Sequence, residues 1–553
     1  MDRVKGFGLF TAIAAISVLA GVAPPPEVGD AVVASDHRWV SEAGAEVLRR
    51  GGNAVDAVVA AALSAGVVQP AGSGLGGGGF AVLSDGKTRY VLDFREVAPA
   101  AATRDMYLGP DGAVLAAASK VGGRAVGVPG ESRGLARLLA AHGTLTPAEI
   151  AAPAIRQAAS GFGVGAHLAH ALENTKHPAI IALFTINGAL AVDGQSFRRP
   201  ALAKTLRRWA KSRGEDLHMG AGARGIAAAV ADDGGVTVED LAAYRPVERE
   251  PIIARYKEYT LVTMPPPSSG GVVLAQALSV LEGYDLASLG HNSSDYVHLV
   301  SEVMKHGYAD RAHHLGDPDF VDVPVEHLLS PQRVGEIRSK VWPGRSFPPN
   351  HYGPLIAPPE DSGTQHISVI DEDGMAVALT TTINTSFGSG VVTGEGVILN
   401  NEMDDFVAAP GVPNAYGLVG SEANAIEPGK RPLSSMTPTI VLDPKGRVVM
   451  SIGASGGSFI ISSVLQTFLN IEEFGMDPQE AVAAPRFHHQ WQPDTLFLES
   501  GFPRDVVRAL ETRGHQTRTI ERFSSVQVVV APKGGGPLQG GSDPSKGGWP
   551  ARR

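Results

Sequence analysis

A threonine hydroxyl is a weak nucleophile at neutral pH and needs a base beside it. Thr364 follows Gly363 where proline-rich, polar sequence (Phe347-Pro348-Pro349, Pro358-Pro359) gives way to strand-like sequence. If the bond between them is cut, the new α-amino group sits on the nucleophile's own residue. Its ordinary pKa of ~8 leaves much of it neutral and able to take the hydroxyl proton. The cut itself asks only that the same hydroxyl first attack the Gly363 carbonyl, which a glycine leaves sterically open. That chemistry is self-cleavage followed by amide hydrolysis.

Two other groupings compete. Gly453-Ala454-Ser455-Gly456-Gly457 fits the nucleophile elbow G-x-S-x-G between an expected strand and helix, and Asp477 and His488 follow in the order of an α/β-hydrolase triad. Taken locally, a serine hydrolase stands as an open alternative. Against it, sequence from 364 onward reads as hairpins, whereas the elbow belongs on parallel strands. Gly74, Gly76 and Gly79 fit G-x-G-x-x-G, but they run into a strand, Phe80-Ala81-Val82-Leu83, and not into the helix a dinucleotide site requires. The adjacent pairs His313-His314 and His488-His489 lack the spacing that puts two imidazoles on one helix face. No metal is expected.

The elements that must position Thr364 are legible. His366 to Ile370 and Met375 to Ile383 read as a hairpin turning at Asp373-Gly374, which returns Thr382 and Asn384 to the nucleophile. Thr439 to Leu442 and Val448 to Ile452 form a second pair, followed by a helix over Phe459 to Ile471. Gly456 and Gly457, at that strand-to-helix turn, offer backbone N–H groups for an oxyanion. Upstream, helices are expected at His37 to Arg50, Ala54 to Val67, Ser132 to Ala141, Pro147 to Ser160 and Asp295 to His313, with a hairpin over Phe80 to Phe94. Pro265 to Gly271 makes a rigid corner, and Thr237 with Asp240 starts another helix. Packed sheets with helix layers fit this order.

Composition narrows the classes. The 553 residues are 43% apolar and 19% charged, a globular balance, and the formal charge of −10 with no long basic run excludes nucleic acid as a partner. An anionic substrate would need a local arginine. Cysteine is absent, which removes disulfides, thiolate metal sites and a cysteine nucleophile together. Residues 1–26 read as a secretory leader: Arg3 and Lys5, weakened by Asp2, precede the uncharged run Phe7 to Val22, then Ala23 and three prolines. A misplaced start or a retained membrane anchor are the alternatives. A periplasmic or secreted location is expected.

Longer blocks carry a resemblance: Ser73 to Phe80, Leu92-Asp93-Phe94-Arg95-Glu96, Pro265 to Gly271, Tyr308-Ala309-Asp310-Arg311, Leu315 to Phe320, Thr380 to Asn384, Leu399 to Phe406, Arg431 to Met436, and Pro485 to Trp491. In this order they resemble the γ-glutamyltransferase (γ-glutamyl transpeptidase) family of N-terminal-nucleophile hydrolases. The resemblance implies an α+β fold, the αββα sandwich, and an inactive precursor with no cofactor. It implies Thr364 as nucleophile, Thr382 as its hydrogen-bonding helper, and Arg95, Ser434 and Ser435 around a substrate α-carboxylate. Asn384, Glu402 and Asp405 would accept from the α-ammonium, and Tyr416 would sit in a lid over Pro410 to Gly420. Singly, each has a duller structural reading. Two stretches depart from the family: Glu131-Ser132-Arg133-Gly134, which puts local packing in doubt, and a tail that looks frayed beyond Gly541-Ser542-Asp543-Pro544.

The expected organisation is a large chain, 27–363, and a small chain, 364–553, cut from one precursor and interleaved in one globular unit. The expected partners are a γ-glutamyl donor such as glutathione and an acceptor, either water or an amino acid or peptide amine. The rivals are a cephalosporin or glutaryl acylase on the same scaffold and a binding protein that is never processed.

Overall fold

The computed structural model describes residues 27–553 apart from 116, 234, 354–362 and 409–419. Tyr416 and the leader, residues 1–26, lie outside the described residues. Among those described, no helix is long and apolar enough to cross a membrane.

Two seven-stranded antiparallel sheets stack face to face between helix layers. One runs Glu27–Gly29, Leu538–Ser542, Ser525–Val530, Val448–Ser455, Thr439–Leu442, Tyr259–Thr263, Ile252–Tyr256. The other runs Ala551–Arg552, Val32–Ser35, Gln365–Ile370, Ala376–Thr382, Gly78–Ser84, Arg89–Asp93, Val247–Arg249. Each sheet draws strands from both sides of residue 363.

Side-chain alternation explains the layering. In the second sheet Val32, Ala34, Phe80, Val82, Ala376 and Ala378 join the core shared with the first sheet. Their neighbours Val33, Ala81, Leu83, Val377 and Leu379 turn the other way, onto the helices Arg38–Arg49 and Ala54–Val68. The first sheet is covered by Gly270–Leu281, Ser294–His314 and Ile460–Glu472. This is the αββα sandwich.

The expected elements appear with ends shifted by up to three residues, including the capping box of Thr237 and Asp240. Two expectations are corrected. Glu131 to Gly134 packs well: Gly130 and Glu131 both donate from backbone to Gly77 O, at 2.8 and 2.9 Å, and Arg133 bonds Glu215 and Tyr244 O. The C-terminal tail is not frayed. Asp543 is buried against Arg486 and Arg522, Lys546 reaches the Thr364 carbonyl, and Ala551–Arg552 pairs with Val32 and Val33. Charged residues that read as solvated in one dimension are here spent on tertiary ion pairs.

Burial pushes the Glu131 carboxyl up to about 8, only partly offset by the Thr381 hydroxyl that donates to it at 2.5 Å. A folded-state value above the unfolded one means stability that is full below the unfolded value and lost as pH rises through 8. Glu131→Gln should therefore raise the apparent melting temperature at pH 8 by about 2 °C and leave it unchanged near pH 4. Scanning calorimetry at both pH values checks the difference.

Candidate active site

The hairpin does what its spacing implied. Gln365 pairs with Thr381, so Thr364 stands opposite Thr382 at the open end of the central strands. In the uncut chain the Thr364 hydroxyl donates to the Gly363 carbonyl oxygen, and Thr382 Oγ1 donates to the same oxygen at 3.1 Å. Thr382 Oγ1 in turn accepts from the Asn384 backbone N–H at 2.8 Å, which fixes the hydroxyl's aim. Gly363 has φ +145°, and a Cβ there would lie 2.2 Å from Asn384 O. Glycine is thus required before Thr364 both by backbone conformation and by space.

Thr364 borders a buried cleft lined also by Arg95, Arg311, Thr382, Asn384, Glu402, Asp405, Ser434, Ser435 and Gly457. Arg95 follows the strand Arg89–Asp93 and is held by its own N–H to Asp93 at 2.9 Å and by Nε to Pro432 O at 3.3 Å. Its guanidinium pairs with Glu402 and, at 2.5 Å, with Asp405, while Glu96 lies 3.9 Å away. Burial pushes all three carboxyls up despite that cation: Glu402 to about 8, Glu96 well above its usual range, and Asp405 in the same direction. Arg95, with Arg311 acting on Asp405, does not fully compensate three buried carboxyls, so burial favours their neutral forms until further positive charge arrives.

The corner Pro265 to Gly271 sets the opposite wall. Ser269 donates from N and Oγ to Ser434 O at 2.8 and 2.7 Å, and Ser434 N donates to Pro267 O at 2.9 Å. This presents Ser434 and Ser435, and the Ser435 hydroxyl is buried with no hydrogen-bond partner. Gly456 and Gly457 turn the strand Val448–Ser455 into the helix Ile460–Glu472, at φ +131° and +54°. Of the two, Gly457 lines the cleft. The cleft thus gathers nine of the ten residues expected to act or bind, and leaves Gly456 one position behind.

Arg311 and Glu96 are site residues that sequence reasoning quoted without a role. Arg311 is buried on the helix Ser294–His314, donates Nε to Ser269 Oγ at 3.1 Å, and burial lowers it to about 10. A charged residue inside a long, nearly wholly buried helix was the available signal.

The serine triad is not assembled. Ser455 donates to Ser525 O at 3.4 Å and accepts from Lys546 at 2.8 Å, while His488 bonds Ser462 and Gln490, and Asp477 caps the helix Pro478–Ala483. Among the described residues one group, His298, Glu302 and His515, brings metal-ligand atoms within 4.8 Å. The Lys305 ammonium already holds Glu302 at 2.9 Å, which disfavours a second cation.

With this geometry, the sequence match is decisive: the γ-glutamyltranspeptidase family model matches residues 40–552. The chain belongs to that family. It is therefore an enzyme, of γ-glutamyl transfer and hydrolysis. It is 42% identical to the glutathione hydrolase proenzyme of Escherichia coli, over 94% of this chain and 91% of that one. The cephalosporin acylase structure from Bacillus halodurans superimposes with TM-score 0.85 at 28% identity, covering 98% of this chain and 99% of that one. The Helicobacter pylori γ-glutamyltranspeptidase structure matches at TM-score 0.55 and 37% identity, over 56% of this chain and 92% of that chain.

Asp477→Ala should cost about 1 kcal/mol of stability through the lost helix cap and leave turnover unchanged. A triad aspartate would instead cost about 10⁴ in kcat. Steady-state kinetics beside a melting curve distinguishes the two.

Proposed function

We propose that the chain is a precursor that cuts itself between Gly363 and Thr364 and then transfers or hydrolyses γ-glutamyl groups, glutathione among them. The observation that carries this is the pair of threonine hydroxyls converging on the Gly363 carbonyl oxygen beside a cleft of mixed charge. In the cut, Thr364 Oγ1 attacks the Gly363 carbonyl carbon. The C–N bond breaks as the C–O bond forms, so the amide becomes an ester and the α-amine is freed; water then hydrolyses the ester to release the Gly363 carboxylate and the Thr364 hydroxyl. Residues 27–363 then form the large chain and 364–553 the small one, with residues 1–26 as an export leader to the periplasm or medium.

In turnover the α-amine takes the Thr364 hydroxyl proton as Oγ1 attacks the γ-amide, and the Gly457 and Gly456 N–H groups face the oxyanion. Thr382 keeps the hydroxyl aimed. The leaving amine departs with the proton, and water or an acceptor amine resolves the γ-glutamyl ester. Arg95 takes the substrate α-carboxylate with help from the Ser434 and Ser435 hydroxyls. The substrate's ammonium goes to the Glu402 and Asp405 carboxyls, which are short of positive charge, and to the Asn384 side-chain carbonyl.

The acylase neighbour raises a second reading, a glutaryl-type acyl group. That group brings no ammonium and would leave Glu402 and Asp405 as they stand, so the charge balance favours the amino acid head.

The deciding experiment is a denaturing gel with N-terminal sequencing of the short band. A fragment beginning Thr364-Gln365-His366, absent in Thr364→Ala, is expected; an uncut wild-type chain that hydrolyses amides overturns the mechanism. Arg95→Lys should lower kcat/KM for a γ-glutamyl anilide ~100-fold, mainly through KM, because a lysine cannot reproduce the bidentate fork. Glu402→Gln should shrink the preference for γ-glutamyl over glutaryl anilide ~10-fold, since only the former carries the ammonium that it meets. An unchanged preference would favour the acylase reading.

A further inference from the structure

The tail beyond Asp543 reaches the nucleophile from the side away from the cleft. Lys546 Nζ donates to the Thr364 carbonyl at 3.0 Å and to Ser455 Oγ at 2.8 Å, and stands 4.0 Å from Asp36 Oδ2. Asp36 is fully buried and accepts from Ser525 Oγ and Gln527 Nε2, and from His366 N at 3.4 Å. Burial raises the Asp36 carboxyl and Lys546 opposes that. The first residues of the strand Gln365–Ile370 are therefore gripped by one half-buried cation and one buried acid, and Ser455 of the false elbow serves as the cation's second acceptor. Gln69 Nε2 donates to Lys546 O at 3.2 Å and anchors the turn that carries the lysine.

We propose that Lys546 is a positioning residue for the nucleophile: its ammonium fixes the Thr364 carbonyl and, by like-charge repulsion, keeps the α-amino group freed by the cut in its neutral, proton-accepting form. The inference rests on the N-terminal-nucleophile reading. Within one residue the nitrogen and carbonyl oxygen are within about 4 Å, so the ammonium lies within about 7 Å of the amine. At that range, half-shielded from water, a cation disfavours a second one.

Among the described residues, Asp36 offsets part of that charge, and no neighbouring histidine adds to it. On the tail side the titratable groups are Asp36, His37, His167 and His170, with Lys176 and His177 across a cavity that Thr364 and Lys546 both line. Burial holds His37 and His167 at about 4 and about 3, so both stay neutral, as does His366. Among the described residues, Asp36 is the one acid beside Lys546 on this side. On the cleft side Arg95 and Arg311 face Glu402 and Asp405.

Because the chain has no cysteine, Lys546→Cys can be alkylated at one place. 2-Bromoethylamine forms a C–S bond with loss of bromide and restores a charged side chain of nearly lysine length; iodoacetamide gives a neutral one. Both adducts are compared with wild type by N-terminal sequencing and by the pH profile of kcat/KM. The aminoethyl adduct should be cut before Thr364 and keep the wild-type acid limb. The neutral adduct should show that limb about one pH unit higher, because the amine then protonates more readily. A neutral adduct that stays uncut while the charged one is processed also supports the proposal. Coincident limbs, or an aminoethyl adduct that fails to recover the wild-type limb, overturn it. A purely structural lysine would change the amount of active enzyme and not the limb. Wild-type protein lacking the Thr364 fragment would instead remove the underlying reading.

Discussion

On the proposed mechanism Thr364 has to be an interior residue while the chain folds and a chain end when the enzyme works. Much of the architecture answers to that requirement. A strand begins at Gln365 in the middle of a sheet, where hydrogen bonds on both sides fix its position without help from residue 363. The preceding glycine can then occupy a left-handed backbone conformation, against Asn384, that exposes its carbonyl to two hydroxyls. Around this end the sandwich interior becomes polar: His366, Ser368, Thr380, Asp36 and Gln527 are all buried and bonded to one another. Such networks cost desolvation and repay it in a single geometry only when their members are satisfied.

The cleft uses charge in the opposite way. At Asp36 acid and base are matched, whereas around Arg95 carboxylates outnumber guanidinium groups and sit in a medium that penalises each of them. A ligand with both an anionic and a cationic end can exchange partners with the existing ion pairs and relieve that imbalance. The same low dielectric that makes the unliganded cluster costly makes recognition of a zwitterion sharp.

Most of the secondary structure was legible because its signals are local: the Asp373-Gly374 turn and the capping box at Thr237. The hairpin even placed Thr382 opposite Thr364. Roles for Arg95, Glu402 and Asp405 came from resemblance alone, since residues some three hundred positions apart carry no spacing signal. Ser455 misled because a strand-turn-helix with small residues serves an antiparallel sheet as well as an α/β-hydrolase. The tail and the Glu131 stretch were doubted because they depart from the family's pattern, and the partners that hold them, Thr364 for Lys546 and Thr381 for Glu131, lie far off in sequence.

Both sheets contain strands from either side of residue 363, so the proposed cut would release no domain. The two products remain woven together, and dilution does not part them without unravelling the sandwich. What the cut does remove is the covalent tether that made folding unimolecular. An unfolded, processed molecule must find its other half by diffusion, at a rate that falls with concentration. The working lifetime of the mature enzyme is then set by how slowly it unfolds rather than by an equilibrium it can revisit.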